Sequence, residues 1–332
     1  MSKVALIQVV YNSKKFIPIV FPKVFEQTFK DFEFYAVIAK SEDGSKEYIQ
    51  EHFPQVKIID PGYNIGFAKG HNQLFEELDC EFFQLINPDL VLTPNFVEEM
   101  LKGFTAPNVG AVSGKILHYD FEKNETTNII DTTGVVVAKS GRGGDRGQHQ
   151  VDEGQFDNQT NLIAVSGAAA MYRKAALRDI RFVRQDGSYE YYDEDFHSYW
   201  EDVDLSLRMI NAGWKIKYQP EAVAYHGRAV GSQISGYKKV FAFIKAHRKH
   251  SLWIRQLNYK NHIFLLLKNF PKLYPEFLFR EFFYQVFVLL LETATLKILP
   301  RFFKELPIMW QKRKYIQAHR KISVEDMEKL LS

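Results

Sequence analysis

Glu81-Phe82-Phe83-Gln84-Leu85-Ile86-Asn87-Pro88-Asp89 is the stretch on which the fold turns. Residues 81–86 have the apolar, β-favouring character of a buried strand. The Asn-Pro-Asp that follows ends it, because proline drives the residue before it out of helical geometry and fixes a turn. The same pattern recurs upstream. Val4–Val10 is a short apolar run that reads as a first buried strand and leads into Tyr11-Asn12-Ser13; residues 32–39 form a second strand and residues 56–59 a third. Helical stretches separate them at residues 17–27, with Pro18 tolerated in the first turn, at Ser45–His52 and from Asn72 to residue 78. Strands spaced by helices predict an α/β fold, a mostly parallel sheet with helices on both faces. Ligands of such sheets sit beyond the carboxyl ends of the strands. Tyr11-Asn12, Ser41-Glu42-Asp43 and Asn87-Pro88-Asp89 all fall there.

Composition narrows the class. With 332 residues, 46% hydrophobic and 25% charged, the chain is neither disordered nor collagen-like. Its one cysteine, Cys80, excludes an internal disulfide framework and a Cys-rich zinc site, and suits a reducing compartment. The net charge of +3 conceals an uneven distribution. Residues 233–332 carry 19 Lys+Arg against 7 Asp+Glu, a net of +12, and residues 1–232 carry 24 against 33, a net of −9. The N-terminal apolar run has no small-residue cleavage site and is read as a strand, not a signal peptide. The uncharged residues 282–291 supply about half of the roughly 20 residues that a spanning helix needs, so they are not expected to cross a membrane.

Several segments carry residue types suited to chemistry. Asp89, presented by the Asn87-Pro88-Asp89 turn, would suit a hard cation such as Mg²⁺ or Mn²⁺ with phosphate oxygens completing the shell, although such a tripeptide alone is more often a plain turn. An acidic cluster comprises Glu190, Asp193, Glu194, Asp195, Glu201, Asp202 and Asp204. The last three open a helix, where the macrodipole favours carboxylates; one of them is alternatively a general base for a sugar hydroxyl. His226 follows a strand and is either a structural histidine or a partner to Asp89 in a metal site. The segment Gly62-Tyr63-Asn64-Ile65-Gly66-Phe67-Ala68-Lys69-Gly70-His71-Asn72 can bring backbone N–H groups to a phosphate, yet it is neither a P-loop nor a dinucleotide fingerprint. Residues 140–160, with five glycines, form either a lid or binding loop or a mobile surface insertion.

Taken in order, these segments resemble the family 2 glycosyltransferases of GT-A fold, in their bacterial rhamnosyltransferase-like branch. The resemblance rests on Val9-Val10-Tyr11-Asn12-Ser13, Asn64 to Asn72, Leu85-Ile86-Asn87-Pro88-Asp89 and Ser166-Gly167-Ala168-Ala169-Ala170-Met171-Tyr172-Arg173. It continues through Trp200-Glu201-Asp202-Val203-Asp204-Leu205-Ser206-Leu207-Arg208, Ala212-Gly213-Trp214 and His226. It implies inverting transfer of a sugar from a nucleotide diphosphate, dTDP-L-rhamnose first, to a glycan or polyprenyl-diphosphate-linked hydroxyl. UDP-galactofuranose, UDP-hexose and GDP-mannose are the alternative donors. By the same resemblance, Tyr11 and Asn12 would lie near the nucleobase and ribose. The Ser41–Ser45 loop with Asp43, together with Asn64, Gly66, Lys69, Asn72 and Asn87, would serve the nucleotide. Asp89 and His226 would hold the metal, Asp202 would be the base, and Glu201 would lie beside it on the acceptor side. One departure stands out: Ile38, Ala39 and Lys40 occupy the positions where the family commonly has a base-contacting Asp.

The region 233–332 is read as a helical appendage to a GT-A domain at 1–232. Its Lys238, Lys239, Lys245, Arg248, Lys249, Lys260, Lys268, Lys272 and Lys312-Arg313-Lys314 alternate with phenylalanine and tryptophan. Such a composition suits an anionic membrane surface, which places the enzyme in the cytoplasm on the inner face of the cell membrane. The alternatives are helical packing or a homodimer contact. No nucleic-acid motif accompanies the basic residues, so nucleic acid is not expected as a partner. A catalytically silent membrane scaffold is the competing functional class.

Overall fold

The computed structural model describes residues 2–227 and 251–331. The expected boundary at 232/233, with Lys238, Lys239, Lys245, Arg248 and Lys249, lies outside the described residues. The chain opens with β1 (Val4–Val10), α1 (Ile17–Phe25), β2 (Phe32–Ile38), α2 (Ser45–His52), β3 (Lys57–Ile59), α3 (Phe67–Glu77) and β4 (Phe82–Leu85). There follow β5 (Leu90–Leu92), α4 (Phe96–Lys102), β6 (Val109–Asp120), β7 (Glu125–Thr132), β8 (Val135–Val137), β9 (Gly143–Asp145), β10 (Asn161–Leu162) and β11 (Met171–Arg173). Next come α5 (Lys174–Ile180), β12 (Phe182–Val183), β13 (Tyr189–Glu190), α6 (Glu201–Asn211) and β14 (Lys215–His226). The C-terminal helices are α7 (Leu252–Asn269), α8 (Pro275–Leu291), α9 (Leu299–Ala318) and α10 (Val324–Leu330).

Helix α3 starts at Phe67, well before the expected Asn72. Gly70, which reads as a turn residue in sequence, sits inside the helix because α3 lies tightly on β1: a Cβ there would be 3.2 Å from Val9 Cγ2.

The sheet runs β10-β14-β6-β11-β4-β1-β2-β3. Its first-formed half, β3-β2-β1-β4, is parallel, as the strand–helix alternation demands. The second half is mixed: β11 runs antiparallel to both β4 and β6, while β6 and β14 are parallel. Alternation along β1 divides the core. Val4, Leu6 and Val10 face one apolar cluster with α1 and α4, and Ala5 and Ile7 face another with α3, α5 and α6. A third cluster joins Val203 and Leu207 of α6 to Phe264 and Leu265 of α7 and Met309 of α9, so the C-terminal helices pack directly against α6.

Charge reinforces that closure. Lys268 of α7 lies between Asp193 and Asp204, 2.9 Å from the latter, with all three side chains fully buried. Lys312 of α9 reaches Glu190, Asp193 and Asp195 at 2.7–3.1 Å. Burial alone would raise the Asp193 carboxyl, but the Lys268 and Lys312 ammonium groups hold it well below the usual carboxylate range. These lysines, with Lys260 paired to Glu305, therefore do not face a lipid surface as their sequence context suggests. The 140–160 loop is also anchored: Arg146 donates to the backbone oxygens of Thr133 and Gln159, each at 2.9 Å, and Lys115 pairs with Asp152 and Asp157.

Removing one member of a buried ion pair costs about 3–5 kcal/mol, because the other charge stays buried and uncompensated. Lys268→Ala is expected to lower stability to urea by at most that order, since Lys312 still meets Asp193 and Arg208 still meets Asp204. Lys329→Ala, which loses only exposed partners at Glu325 and Asp326, is expected to stay within about 0.5 kcal/mol of the parent.

Candidate active site

Two irregularities of strand pairing build the centre. In β14 the register shifts between Gln219 and Val223, around Pro220, whose ring nitrogen cannot donate to the ladder. Beyond the bulge the strand pairs with β5 as well as β6, and His226 stands opposite Leu90, next to Asp89. In β7, Thr132 pairs with Ile116 and Ile130 pairs with Leu117, so Asp131 is the extra residue between them. The two bulges meet. Asp131 Oδ2 lies 2.9 Å from His226 Nδ1, and Asp89 Oδ1 lies 3.1 Å from His226 Nε2. Asn87 Nδ2 is 3.5 Å from the same Nε2, and Gln8 donates to the Asn87 carbonyl at 3.1 Å.

Burial would depress the His226 imidazolium, but the flanking carboxylates of Asp131 and Asp89 outweigh it and raise the group to about 9. An Nδ1–H donated to Asp131 fixes the ring and turns Nε2 toward Asp89. Asp131, fully buried, is absent from the sequence-based site. Its signal was a single carboxylate embedded in the apolar and threonine-rich run Ile129-Ile130-Asp131-Thr132-Thr133.

The acidic cluster divides. Lys312 occupies the space among Glu190, Asp193 and Asp195, three carboxylates whose oxygens lie within 4.8 Å of one another. A cation already fills that position, and it is the protein's own. Asp204 is held by Arg208 at 3.1 Å and by Asn269 at 2.7 Å, and Glu194 by Arg184 at 2.7 Å. Glu201 and Asp202 occupy the first turn of α6. Asp202, half-buried, accepts the Gly167 N–H at 2.8 Å on Oδ2 and the Val203 N–H at 2.8 Å on Oδ1. The Gly167 turn is tied in the other direction to the Asn87-Pro88-Asp89 turn, since Asn87 N–H donates to the Ala168 carbonyl at 3.0 Å. Glu201 is buried, and desolvation, with the neighbouring Asp202 and Asp204 charges, raises its carboxyl well above the ordinary 4.5. Burial thus favours its protonated form beside Asp202.

The loop that delivers this turn is strained. His197, Tyr199 and Trp200 all have positive φ, at 63°, 69° and 72°. Such backbones cost on the order of 1–3 kcal/mol each and persist only where their surroundings over-determine them. The Asn261 side-chain amide of α7 does so by donating to the carbonyls of Phe196, Ser198 and Tyr199 at 2.9–3.0 Å.

A cleft of about 270 Å³ opens at the carboxyl edge of the sheet. Tyr11, Asn64, Gly66 and Asn87 line it together with Ala39 and His197, so four of the expected nucleotide residues do converge. A larger open hollow of about 700 Å³, at Asp79 to Glu81 and Arg173 to Asp179, lies at the opposite end of β4 and is remote from this chemistry. The remaining expected residues are placed otherwise. Asn12 bridges loops, its Oδ1 accepting the Glu42 N–H at 2.9 Å. Asp43 spends its carboxylate on Lys14 N–H, Ser45 N–H and the Ser45 hydroxyl, at the start of α2. Lys69 is exposed, its ammonium 5.6 Å from the centre of the Tyr63 ring. Asn72 is buried and bonded to both the N–H and the carbonyl of Tyr192, which makes it a scaffold residue, not a nucleotide contact.

The sequence profile of glycosyl transferase family 2 matches residues 6–181, more than half of the chain. The chain belongs to glycosyl transferase family 2. Among curated relatives, this glycosyltransferase is 24% identical over 171 residues to an N-acetylglucosaminyltransferase of Azorhizobium caulinodans, covering 50% of this chain and 38% of that one. It is also 24% identical over 238 residues to the N-acetylglucosaminyl-diphospho-decaprenol L-rhamnosyltransferase of Mycobacterium tuberculosis, covering 65% and 74%. The chain thus spans well under half of the first relative's length. In three dimensions it resembles the mannosyltransferase PcManGT from Pyrobaculum calidifontis, solved with GDP-Man and Mn²⁺, at a TM-score of 0.51 and 15% identity over 96% of this chain and 86% of that one. The fold is GT-A. The family 2 profile ends at residue 181, before Asp202 and His226, so both of those residues rest on the geometry.

Because the Glu201 carboxyl is raised on folding, its contribution to stability is complete below pH 4.5 and is lost as pH rises toward the folded-state value. Glu201→Gln keeps the shape of the neutral acid and cannot ionise. Its melting temperature is expected to exceed that of the parent by a margin that grows as pH rises above 4.5. Thermal unfolding across that range tests the assignment, and a margin independent of pH would refute it.

Proposed function

We propose that this family 2 enzyme carries out an inverting, metal-assisted transfer of a sugar from a nucleotide diphosphate to a hydroxyl of a glycan carried on polyprenyl diphosphate. The step belongs to cell-surface polysaccharide assembly at the cytoplasmic face of the membrane. The supporting observation is the convergence at one sheet edge of a half-buried Asp202 and the Asp89–His226–Asp131 array, joined through the Gly167-Ala168 turn. dTDP-L-rhamnose is the favoured donor, by likeness to the mycobacterial relative, which its name describes as an L-rhamnosyltransferase.

Each residue then has a task. Asp202 takes the proton of the attacking hydroxyl, its carboxylate oriented by two backbone N–H groups. Burial of Glu201 beside it raises that carboxyl and disfavours a second negative charge there. Tyr11, Asn64, Gly66 and Asn87 surround the nucleotide. The donor set of one carboxylate oxygen and one imidazole nitrogen fits a divalent ion, and the nitrogen favours Mn²⁺ over Mg²⁺, which prefers all-oxygen shells. Asp89 and His226 would hold that ion, and Asp131 would keep His226 in the ligating orientation. When bound, the ion supplies charge stabilisation to the departing diphosphate. Ala39 lines the cleft where the family commonly places an acid, so no carboxylate from that position reads the base. This feature favours, as a second reading, a donor with another base or sugar: UDP-galactofuranose, UDP-hexose or GDP-mannose.

Asp202→Asn is expected to reduce donor turnover by about 10²–10⁴-fold with the fold retained by circular dichroism. Undiminished turnover would leave the silent-scaffold reading standing. Asp131→Ala is expected to weaken Mn²⁺ binding by about 10–100-fold, read as a shifted Mn²⁺ titration of melting temperature with no substrate present. An unshifted titration would remove His226 from the metal site. Ranking nucleotide sugars by thermal stabilisation selects the donor.

A further inference from the structure

Helix α8 turns its apolar side chains outward. Of its 17 residues only Phe277 and Val288 are buried. Phe279, Phe282, Phe283, Val286, Leu289 and Leu290 are exposed, Phe279 by 69% and Leu290 by 74%. Their spacing follows the helical repeat, so they form one continuous stripe. Monomeric soluble proteins rarely leave so large an apolar surface uncovered.

The surrounding charge selects the occupant. Between residues 275 and 318 the exposed charged side chains are Glu276 against Lys297, Lys304 and Lys314. None of those three lysines makes an ion pair among the described residues, in contrast with the buried, fully paired Lys268 and Lys312. Along α9, Phe303-Lys304, Pro307-Ile308 and Lys314 share the outward face, the arrangement in which lysine stems lie on an apolar surface and lift their ammonium groups to its polar edge. Trp310, 48% exposed, adds an amphipathic ring. A second copy of the chain docked through a two-fold contact would bring like-charged lysines together. An anionic bilayer takes both the stripe and the lysines.

Length decides the mode. Seventeen residues span roughly 25 Å, less than the ~30 Å hydrocarbon core, and the segment after α8 turns away by 103°. No single helix among the described residues is long and apolar enough to cross a membrane. Alone, a helix of that length is suited to the plane of the interface, and the 103° bend separates it from the segment with which it would otherwise reach a spanning length.

The inner side of α8 reaches the catalytic helix by a short relay. Arg280 donates to the Ser140 carbonyl at 3.4 Å, and Phe277 with Leu266 closes over Gly141, where a Cβ would stand 2.5 Å from Leu266 Cδ1. Two residues on, Gly143 lies against the Trp200 ring, and Trp200 immediately precedes Glu201 and Asp202.

We infer that α8 is a monotopic anchor that lies in an anionic membrane surface and sets the α6 carboxylates at the level of a lipid-borne diphosphate. The second half of this inference rests on the lipid-linked acceptor proposed above; the anchoring itself does not.

The full-length chain is tested by flotation with phosphatidylcholine vesicles with and without phosphatidylglycerol. The parent is expected to float with the anionic vesicles. Phe282→Ser/Leu290→Ser is expected to cut the bound fraction about tenfold or more, and Lys297→Glu/Lys304→Glu to abolish the preference for phosphatidylglycerol. Circular dichroism and donor turnover serve as controls, since none of these residues belongs to the site. The inference is overturned if the parent does not float, or if the serine variant floats equally well. It is also overturned if sedimentation shows a dimer that the serine variant dissociates while flotation is unchanged. Vesicle binding through α8 by a chain that turns over no nucleotide sugar would uphold the anchor and sink the proposed transfer.

Discussion

A carboxylate taken out of water must be met by a cation, and in this protein that requirement joins its two halves. Asp193 and Asp204 are wholly buried, and Lys268, from a helix more than sixty residues further along the chain, lies between them. Without that ammonium group the two buried carboxylates would be met only by Lys312 at Asp193 and Arg208 at Asp204. With it, α7 is pinned to α6, and the neighbouring Asn261 can satisfy the carbonyls of the left-handed turn at residues 197–200. The position of Asp202, two residues beyond that turn, follows from this clamp. The C-terminal helices thus act on the chemistry by holding the loop that presents it.

At the other side of the cleft the same logic is applied to a histidine. His226 and Asp131 come from strands that would not bring them together in regular register. One bulge around Pro220 and one extra residue in β7 turn them toward each other, next to Asp89. Bulges of this kind re-aim side chains at the rim of a sheet. The proposed site is therefore assembled from a turn after β4, the end of β14, a kink in β7 and the start of α6, four pieces with one common boundary at the carboxyl ends of the strands.

How much of this could be read beforehand differs by residue. The parallel half of the sheet, the Asn87-Pro88-Asp89 turn and the closeness of Asp89 to His226 follow from local pattern and family resemblance. Asn72 does not, because nothing in its motif says that its amide would be consumed by the Tyr192 backbone. Nor does Asp43, whose carboxylate is taken by its own loop. The lysines were the most misleading. Lys260, Lys268 and Lys312 stand among phenylalanines and leucines in a basic tail, as lipid-facing lysines would, yet they are buried, whereas Lys297, Lys304 and Lys314 are exposed without ion partners among the described residues. Charge counts are blind to which cation finds an internal partner.

The sequence by itself determined the family, the GT-A architecture and the edge of the sheet where ligands belong, since hydrophobic period and turn chemistry are local properties written into consecutive residues. The tertiary structure alone decided which carboxylate of the acidic cluster is neutralised by lysine, which is buried with its carboxyl raised by desolvation and which faces Gly167. It also revealed Asp131 behind His226 and the uncovered stripe on α8. The physical reason is common to all of these: burial and partnership depend on what long-range folding brings within about 3 Å, and no spacing along the chain encodes that distance.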